Sequence, residues 1–184
     1  MSAIFSRRQI LKLGALSALS SAGLLACSRE SGLDRQLHFA NLQEALVEFA
    51  RLNGADRLSE QALWSWPKTL VHCAQSIEFS MIGYPQQKSA LFQQTLGQAA
   101  FNLFSWRGRM QHDLAEAIPG APDIETMPDI KQAQDRLRSA IEQFSSYRGE
   151  LQPHFAFGAL SFEEYEQAHA MHLANHFSGF EIIG

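Results

Sequence analysis

The sequence predicts an all-α protein in which four main helices and one additional helix form a bundle joined by long loops. Apolar residues recur at steps of three and four along five segments, which is the spacing of a helix with one buried face. Proline and glycine separate these segments, and no stretch shows the apolar–polar alternation of a half-buried strand. With 184 residues, 46% of them hydrophobic, the chain is long enough to bury one domain core.

The first predicted helix covers residues 39–53 and ends at Gly54, because glycine is favoured just past a helix terminus. Its apolar stripe consists of Phe39, Leu42, Leu46, Phe49 and Leu52. After a connector, the second helix begins at Pro67. Proline is favoured in the first turn of a helix, because the backbone N–H that it lacks would have no partner within the helix there. It ends at Gly83, for the same reason as the first helix.

Residues 89–107 form the third predicted helix, and residues 129–147 the fourth. The stripe of the fourth helix consists of Ile130, Ala133, Leu137, Ile141 and Phe144. Between the two helices the stretch IPGAP at 118–122 predicts a loop, because its prolines cannot continue a helix. Ser161 and Glu164 have the spacing of a capping box, so the last helix begins there and runs to residue 178.

The N-terminal segment predicts an export signal rather than part of the fold. Residues 6–12, SRRQILK, resemble a twin-arginine signal, and the mildly apolar run at 13–26 is too short to span a membrane. The stretch LLAC that ends at Cys27 resembles a bacterial lipoprotein processing site, at which Cys27 would be lipidated. The alternative is a basic N-terminal helix. We therefore expect a signal peptide at 1–27, a tether at 28–36 and the bundle at 37–184.

Export would place the processed protein on the periplasmic side of the cell envelope, anchored to the membrane by its N-terminal lipid. Residues 1–26 contain three basic residues and no acidic one, so the processed chain keeps 12 basic residues against 19 acidic ones, a net charge of −7. This acidic balance argues against a nucleic-acid partner. With Cys27 acylated, Cys73 is the remaining thiol, and no intrachain disulfide can form.

The stretch QAHAMHLANH at 167–176 carries three histidines, at 169, 172 and 176, on one face of the last helix. His172 and His176 are four residues apart, which lets two imidazoles converge on one metal ion. Because further ligands in a bundle come from a facing helix, His72 in the second helix is the best additional candidate. The alternative is that these histidines are ordinary core residues with satisfied hydrogen bonds.

The other histidines and the aromatic residues have plainer interpretations. His38 and His112 lie in polar or terminal contexts and are predicted to be surface residues. His154 precedes the last helix in an aromatic loop, where a structural role is favoured over an approach to the site. The aromatic residues Trp64, Trp66, Phe155 and Phe157 could line a pocket, although packing in the core is the simpler interpretation.

Three segments together resemble the DinB/YfiT-like superfamily of helical bundles, in particular a branch labelled as a domain of unknown function. These segments are Trp66 with the run HCAQSIEFS that starts at His72, the IPGAP loop, and PHFAFGALSFEEYEQAHAMHLANHF at the C-terminus. The resemblance implies a four-helix bundle that binds a divalent metal ion, commonly Zn or Ni, through three histidines. By position these are His72, His172 and His176, which leaves His169 as a neighbouring group, a substrate-facing group or a replacement ligand. The superfamily also suggests a homodimer.

Three imidazole ligands leave an open coordination position, which is typical of a catalytic metal site. The resemblance implies either hydrolysis or a thiol-dependent transfer, on a small-molecule substrate that the sequence does not identify. Glu78, Glu166 and His169 are candidates for the general base, with His169 preferred. Cys73 is predicted to be a small core residue rather than a nucleophile. Gln75, one turn after His72, is a candidate to orient its imidazole by a hydrogen bond.

Two other classes of protein remain open. A non-catalytic envelope lipoprotein would hold metal in a closed site or dock another protein, with a fourth ligand such as His169. Haem binding by core histidines is the third option. It would have to be non-covalent, because the chain has no Cys-x-x-Cys-His attachment motif.

Overall fold

The computed structural model describes residues 33–60, 62–125 and 128–184, and the five predicted helices are present in this part of the chain. The all-α prediction is therefore confirmed, with a small two-stranded sheet in addition. The helices have the following bounds: α1 is Leu42–Asn53, α2 is Trp66–Ile82, α3 is Ala90–Phe92 followed directly by Gln93–Gly97 and Gln98–Arg107, α4 is Ile130–Ser146, and α5 is Phe162–Phe177.

Side-chain caps set the first residues of four helices, including α3, where the Ser89 hydroxyl accepts the Phe92 N–H. The Asn41 side chain accepts the Glu44 N–H, so α1 begins three residues later than its apolar stripe predicts. The predicted capping box of α5 is confirmed, since the Ser161 hydroxyl accepts the Glu164 N–H and the Glu164 carboxylate accepts the Ser161 N–H. Asp129 caps α4 in the same way as Asn41 caps α1. Each such cap stabilises its helix by about 1 kcal/mol.

Helices α1, α2, α4 and α5 pack around one core, and α3 packs on the outside of α5. Phe49 from α1, Phe144 from α4 and Phe177 from α5 are fully buried in this core. Each contributes about 1.5–3 kcal/mol by leaving water. Trp66, at the start of α2, packs with its ring centroid 5.0 Å from that of Phe177. The core thus fixes α2 and α5 beside each other, and these are the helices that carry the candidate histidines.

The outer helix α3 departs from the predicted regular helix in its middle, where Gln93–Gly97 form a π-helical turn. Only Phe101 of α3 packs deep into the core, whereas the side chains of Leu96 and Trp106 are 66% and 81% exposed. The π turn lies against the loop at 153–158, because the Gln93 amide donates to the carbonyl oxygens of His154 and Phe155. This contact holds that loop against α3.

The connector between α1 and α2 contains a strand that the sequence did not predict. Strand β1, Leu58–Glu60, pairs antiparallel with β2, Phe180–Ile182, which follows α5. Strands of three residues are too short to show the alternating pattern by which strands are predicted. The pairing ties the connector to the C-terminal end of α5. Trp64, a few residues further along the connector, stacks on His176 of that helix.

The predicted signal peptide at 1–27, with Cys27, and the first part of the predicted tether lie outside the described residues. Within the predicted tether, Arg35 contacts the bundle: its N–H donates to the Ser178 carbonyl, and its guanidinium pairs with Glu48. The described chain is therefore attached to the bundle from this residue onward. None of the helices in the described ranges has the length and apolar content to cross a membrane.

Candidate metal centre

His72 from α2 meets His172 and His176 from α5 in the interior of the bundle. One ring nitrogen from each residue lies within 4.8 Å of one ring nitrogen of both others, and all three residues are buried. The Nε2 atoms of His72 and His172 are 3.2 Å apart. The ring centroids of His172 and His176 are 4.7 Å apart, as expected for residues one helical turn apart on one face. These are the three residues that the resemblance selects.

The spacing of the nitrogens is suited to a divalent ion. Two nitrogens bound to a tetrahedral zinc ion at 2.0–2.1 Å lie about 3.3 Å from each other, close to the observed separation of the His72 and His172 Nε2 atoms. The Nε2 atom of His176 is buried without a hydrogen-bond partner among the described residues. An unpaired buried nitrogen costs about 1–3 kcal/mol, which coordination to an ion would offset. The three histidines could therefore hold a metal ion.

Burial keeps these imidazoles neutral, which is the form that binds metal. It lowers the pKa of His72 from 6.5 to about 4, with a further contribution from the nearby His112. Burial also lowers the pKa of His172 and of His176 well below 6.5, and the neighbouring histidines add to the effect. At neutral pH each ring therefore has a lone pair available for a cation.

Trp64 covers one side of the histidine group. Its ring stacks on that of His176 at 15° and 6.4 Å, and meets the His72 ring edge-on at 5.0 Å. The Lys68 ammonium lies 4.8 Å from the Trp64 ring centroid on the outside. The sequence left open whether Trp64 and Trp66 line a pocket or pack in the core. Trp66 is a core residue, and Trp64 packs on the candidate site.

The prediction that His112 is a surface residue is wrong. Its ring centroid is 5.2 Å from those of both His172 and His176, and its Nε2 atom is buried. The segment after α3 has no regular secondary structure at this point, but it folds back against His172 and His176. A polar loop context on the sequence does not reveal this return. His38, which received the same prediction, is exposed, as expected.

His169 lies outside the group of three, although it shares their helix. Its Nε2 atom is 3.2 Å from the Ser80 hydroxyl, and its ring packs edge-on against Phe144 and is stacked with Tyr165. His169 lies one helical turn before His172. This distance places its ring against Ser80, near the C-terminal end of α2, and not among the three histidines. The alternative in which His169 replaces one of the three ligands therefore has no support in this geometry.

His154 has the structural role that was favoured for it. Its Nδ1 atom accepts the N–H groups of Ala156 and Phe157, which holds the 153–158 loop in a tight turn. Its ring stacks on Phe157 at 10° and 4.3 Å. Because both hydrogen bonds need an unprotonated Nδ1, the turn is maintained by the neutral form; burial lowers the pKa of His154 to about 3.

A cavity of about 310 Å³ adjoins the histidine group and reaches two of its members, His72 and His172. Most of its wall is apolar and comes from α3, from the segment after α3 and from the 153–158 loop. The apolar lining residues are Phe92, Phe104, Met110, Ala117, Ile118, Phe155, Ala156, Phe157 and Ala168. Lys88 and Glu116 are the charged residues among the lining, and both are exposed. The cavity thus joins a candidate metal position to space for a small, chiefly apolar molecule.

The remaining predicted site residues have other contacts. Glu78 forms an ion pair with Arg136 on the bundle surface. Of the three candidates for the general base, His169 is among the residues that line the cavity, whereas Glu78 and Glu166 are not. The Gln75 amide donates to the Pro122 carbonyl instead of His72, so the prediction that it orients that ring is wrong. Cys73 is fully buried, which confirms its prediction as a core residue, and burial raises the pKa of its thiol.

His169 should make the fold less stable in acid. Burial lowers its pKa from 6.5 to about 3, so between these values the unfolded chain binds a proton that the folded chain excludes. The free energy of unfolding must then fall as the pH falls through this window. In the His169→Gln variant, which cannot titrate but keeps a polar group near Ser80, we expect a slope smaller by about 1.4 kcal/mol per pH unit.

Urea unfolding at a series of pH values measures this slope. His169 contributes to the lowered pKa of His154 and of His172, and both of these residues are retained in the variant. The exposed His38, replaced by Gln, is the matched control and should leave the slope unchanged. A slope in His169→Gln equal to that of the wild-type protein would contradict the prediction.

The fold and the site together define a class: a helical-bundle protein with a buried group of three histidines that could hold a metal ion. A family model matches residues 32–182, and the chain belongs to that family, DUF1569, whose description is a protein of unknown function. Comparison with curated proteins found no match, and comparison with solved structures found none either. The prediction of a domain of unknown function is confirmed, and the wider DinB/YfiT-like resemblance stays a prediction.

Proposed function

We propose that this chain binds one divalent metal ion, Zn or Ni, through His72, His172 and His176. The observation that carries the proposal is the set of three neutral, buried ring nitrogens within 4.8 Å of one another on two facing helices. The unpaired Nε2 of His176 supports it, because a structural histidine in a core normally finds a hydrogen-bond partner.

The ion would serve a reaction on a small molecule bound in the adjoining cavity. A divalent ion held by three neutral imidazoles acts as a Lewis acid and lowers the pKa of a bound water or thiol, which suits hydrolysis or transfer to a thiol. The apolar wall built from Phe104, Met110 and Phe157 would hold the body of the substrate and exclude water. Its polar end would face His72 and His172.

A non-catalytic role in holding metal is the second candidate, and one observation favours it. Glu116 is the one carboxylate among the cavity-lining residues, and it is exposed, so no buried carboxylate lines the cavity. A general base of the kind found in zinc peptidases is therefore not in place. Assays with small esters and with thiol acceptors distinguish the two: turnover that follows metal content and is lost in His72→Ala identifies an enzyme.

The proposal also includes the location of the protein. The twin arginines Arg7 and Arg8 support export in the folded state, and Cys27 supports attachment to the membrane by lipid on the periplasmic side. Folded export is compatible with a metal ion that is bound before transport.

Metal analysis of the native protein tests the central proposal. Protein purified without chelator or histidine tag should contain about one divalent ion per chain by mass spectrometry. The His72→Ala variant should contain almost none, because it removes the one proposed ligand from α2 and leaves only two of the three, both on α5. His38→Ala, at an exposed position, is the control and should retain the ion. Native protein that contains no metal and binds none on titration would refute the proposal.

A further inference from the structure

We propose that His112 is a fourth, exchangeable ligand of the same ion, supplied by the loop between α3 and α4. The inference rests on the proposed function, since it needs the ion at His72, His172 and His176. It adds a residue that no spacing pattern in the sequence associates with the other three.

The hydrogen bond of His112 fixes which ring nitrogen is free. Its Nδ1 atom lies 2.8 Å from the carbonyl oxygen of Asp113. A carbonyl oxygen only accepts, so Nδ1 must carry the proton and Nε2 must carry the lone pair. That Nε2 atom is buried and has no hydrogen-bond partner among the described residues. Metal-binding histidines typically show this arrangement, with one nitrogen on the ion and the other donating to a carbonyl group.

The position of the ring is also that of a ligand. The centroids of His112 and His172 are 5.2 Å apart, as are those of His112 and His176. Within the group of three the corresponding distances are 5.1, 4.8 and 4.7 Å. His112 thus stands nearly as close to two candidate ligands as these stand to each other, yet just outside the group of three.

The loop that carries His112 is anchored at both ends, and most of its side chains in between are exposed. Met110 and Ile118 are buried, and the Gln75 amide holds the Pro122 carbonyl. Most side chains between the two buried anchors are exposed, namely Gln111, Asp113, Ala115, Glu116 and Ala117. In this proposal a displacement of the loop between these two buried anchors brings Nε2 to the ion or withdraws it. Because His112 also lines the cavity, a molecule bound there would compete with it for the ion.

Titration with Co²⁺ tests the inference on the full chain, because the visible spectrum of Co²⁺ reports its ligands and needs no known substrate. The wild-type protein is compared with His112→Ala, with His112→Gln, which keeps the size of the side chain, and with His38→Ala as the exposed control. We expect both His112 variants to bind Co²⁺ at least about tenfold more weakly, since even partners outside the coordination shell contribute that much. Their spectra should differ from that of the wild type, and added imidazole should restore it in His112→Ala.

The outcomes separate this inference from the proposed function. If the wild type and both His112 variants bind Co²⁺ with equal affinity and identical spectra, His112 is not a ligand and the three-histidine site stands. If the wild type binds no Co²⁺, the proposed function fails and the inference fails with it. Circular dichroism and thermal unfolding without metal verify that each variant is folded, so that weaker binding cannot reflect a lost fold.

Discussion

The His176→Leu variant is expected to lose the metal ion and yet to unfold at a higher temperature than the wild-type protein without metal. In the metal-free wild type the Nε2 atom of His176 is buried without a partner, which costs about 1–3 kcal/mol. Leucine has a similar volume and no polar atom, so it removes this cost without opening a cavity. In a domain of this length we expect a rise of roughly 2–4 °C for each kcal/mol.

When metal is bound, the wild-type protein should be more stable than the His176→Leu variant. An ion that binds only the folded state stabilises the wild type by about 2.7 kcal/mol when its concentration is a hundred times the dissociation constant. Of the three ligands in the proposed function the variant retains only His72 and His172, with His112 as an exchangeable one, and should gain much less from the ion than the wild type. The two proteins should therefore exchange their order of thermal stability when Zn²⁺ is added after treatment with a chelator.

Differential scanning calorimetry with and without Zn²⁺ measures both effects. His38→Leu serves as the control, because His38 is exposed and the variant should respond to the ion as the wild type does. A metal-free His176→Leu protein that melts well below the metal-free wild type would show that the imidazole is a needed packing residue. Equal stabilisation of both proteins by Zn²⁺ would place the ion elsewhere.

The Gly97→Ala variant is expected to lose about 3 kcal/mol or more of stability, because the added methyl group would collide with a backbone atom and the backbone would have to move. A Cβ atom on Gly97 would lie 2.0 Å from the carbonyl oxygen of Ala156, which belongs to the 153–158 loop. Glycine is therefore required here for close approach and not for its backbone angles, which are helical. The loop would be pushed away from α3, and the cavity wall formed by Phe155 and Phe157 with it.

Gly54→Ala is the matched control for this substitution. Gly54 follows α1 with a negative φ of −84°, and a Cβ there would meet nothing closer than 3.4 Å. Alanine at that position should be neutral or should stabilise the fold by about 0.4–1 kcal/mol, through the reduced freedom of the unfolded chain. Urea unfolding of both variants gives the comparison. Equal stability of the two variants would contradict the close contact between α3 and the loop.

Much of the fold follows from local sequence, because helices form by contacts between residues three and four apart. The stripes of α1 and α4, the glycine after α2 and the capping box at Ser161 each act within a few residues. The predicted helix bounds therefore agree with the structure to within a few residues. The short pairing of β1 with β2 and the π turn that ends at Gly97 left no such local signal, since both depend on partners distant along the chain.

In the candidate site, too, the features that depend on neighbouring residues were predictable and those that depend on distant contacts were not. The spacing of His172 and His176 on one helix face was predictable from the sequence, and so was the choice of His72 as their partner on a second helix. The position of His112 was not, because an irregular loop has no periodicity from which its direction can be calculated. Nor was the separation of His169, whose contact with Ser80 depends on how α5 lies against α2.

The sequence by itself thus determined the helices, their ends and three of the histidines that can meet, because these properties depend on neighbours one helical turn away. Only the tertiary structure decided which polar groups remain unpaired, which loop returns to the histidine group and where a cavity opens beside it. Those properties arise from contacts between α3, the loop that carries His112 and the 153–158 loop, which are brought together by packing on the common core.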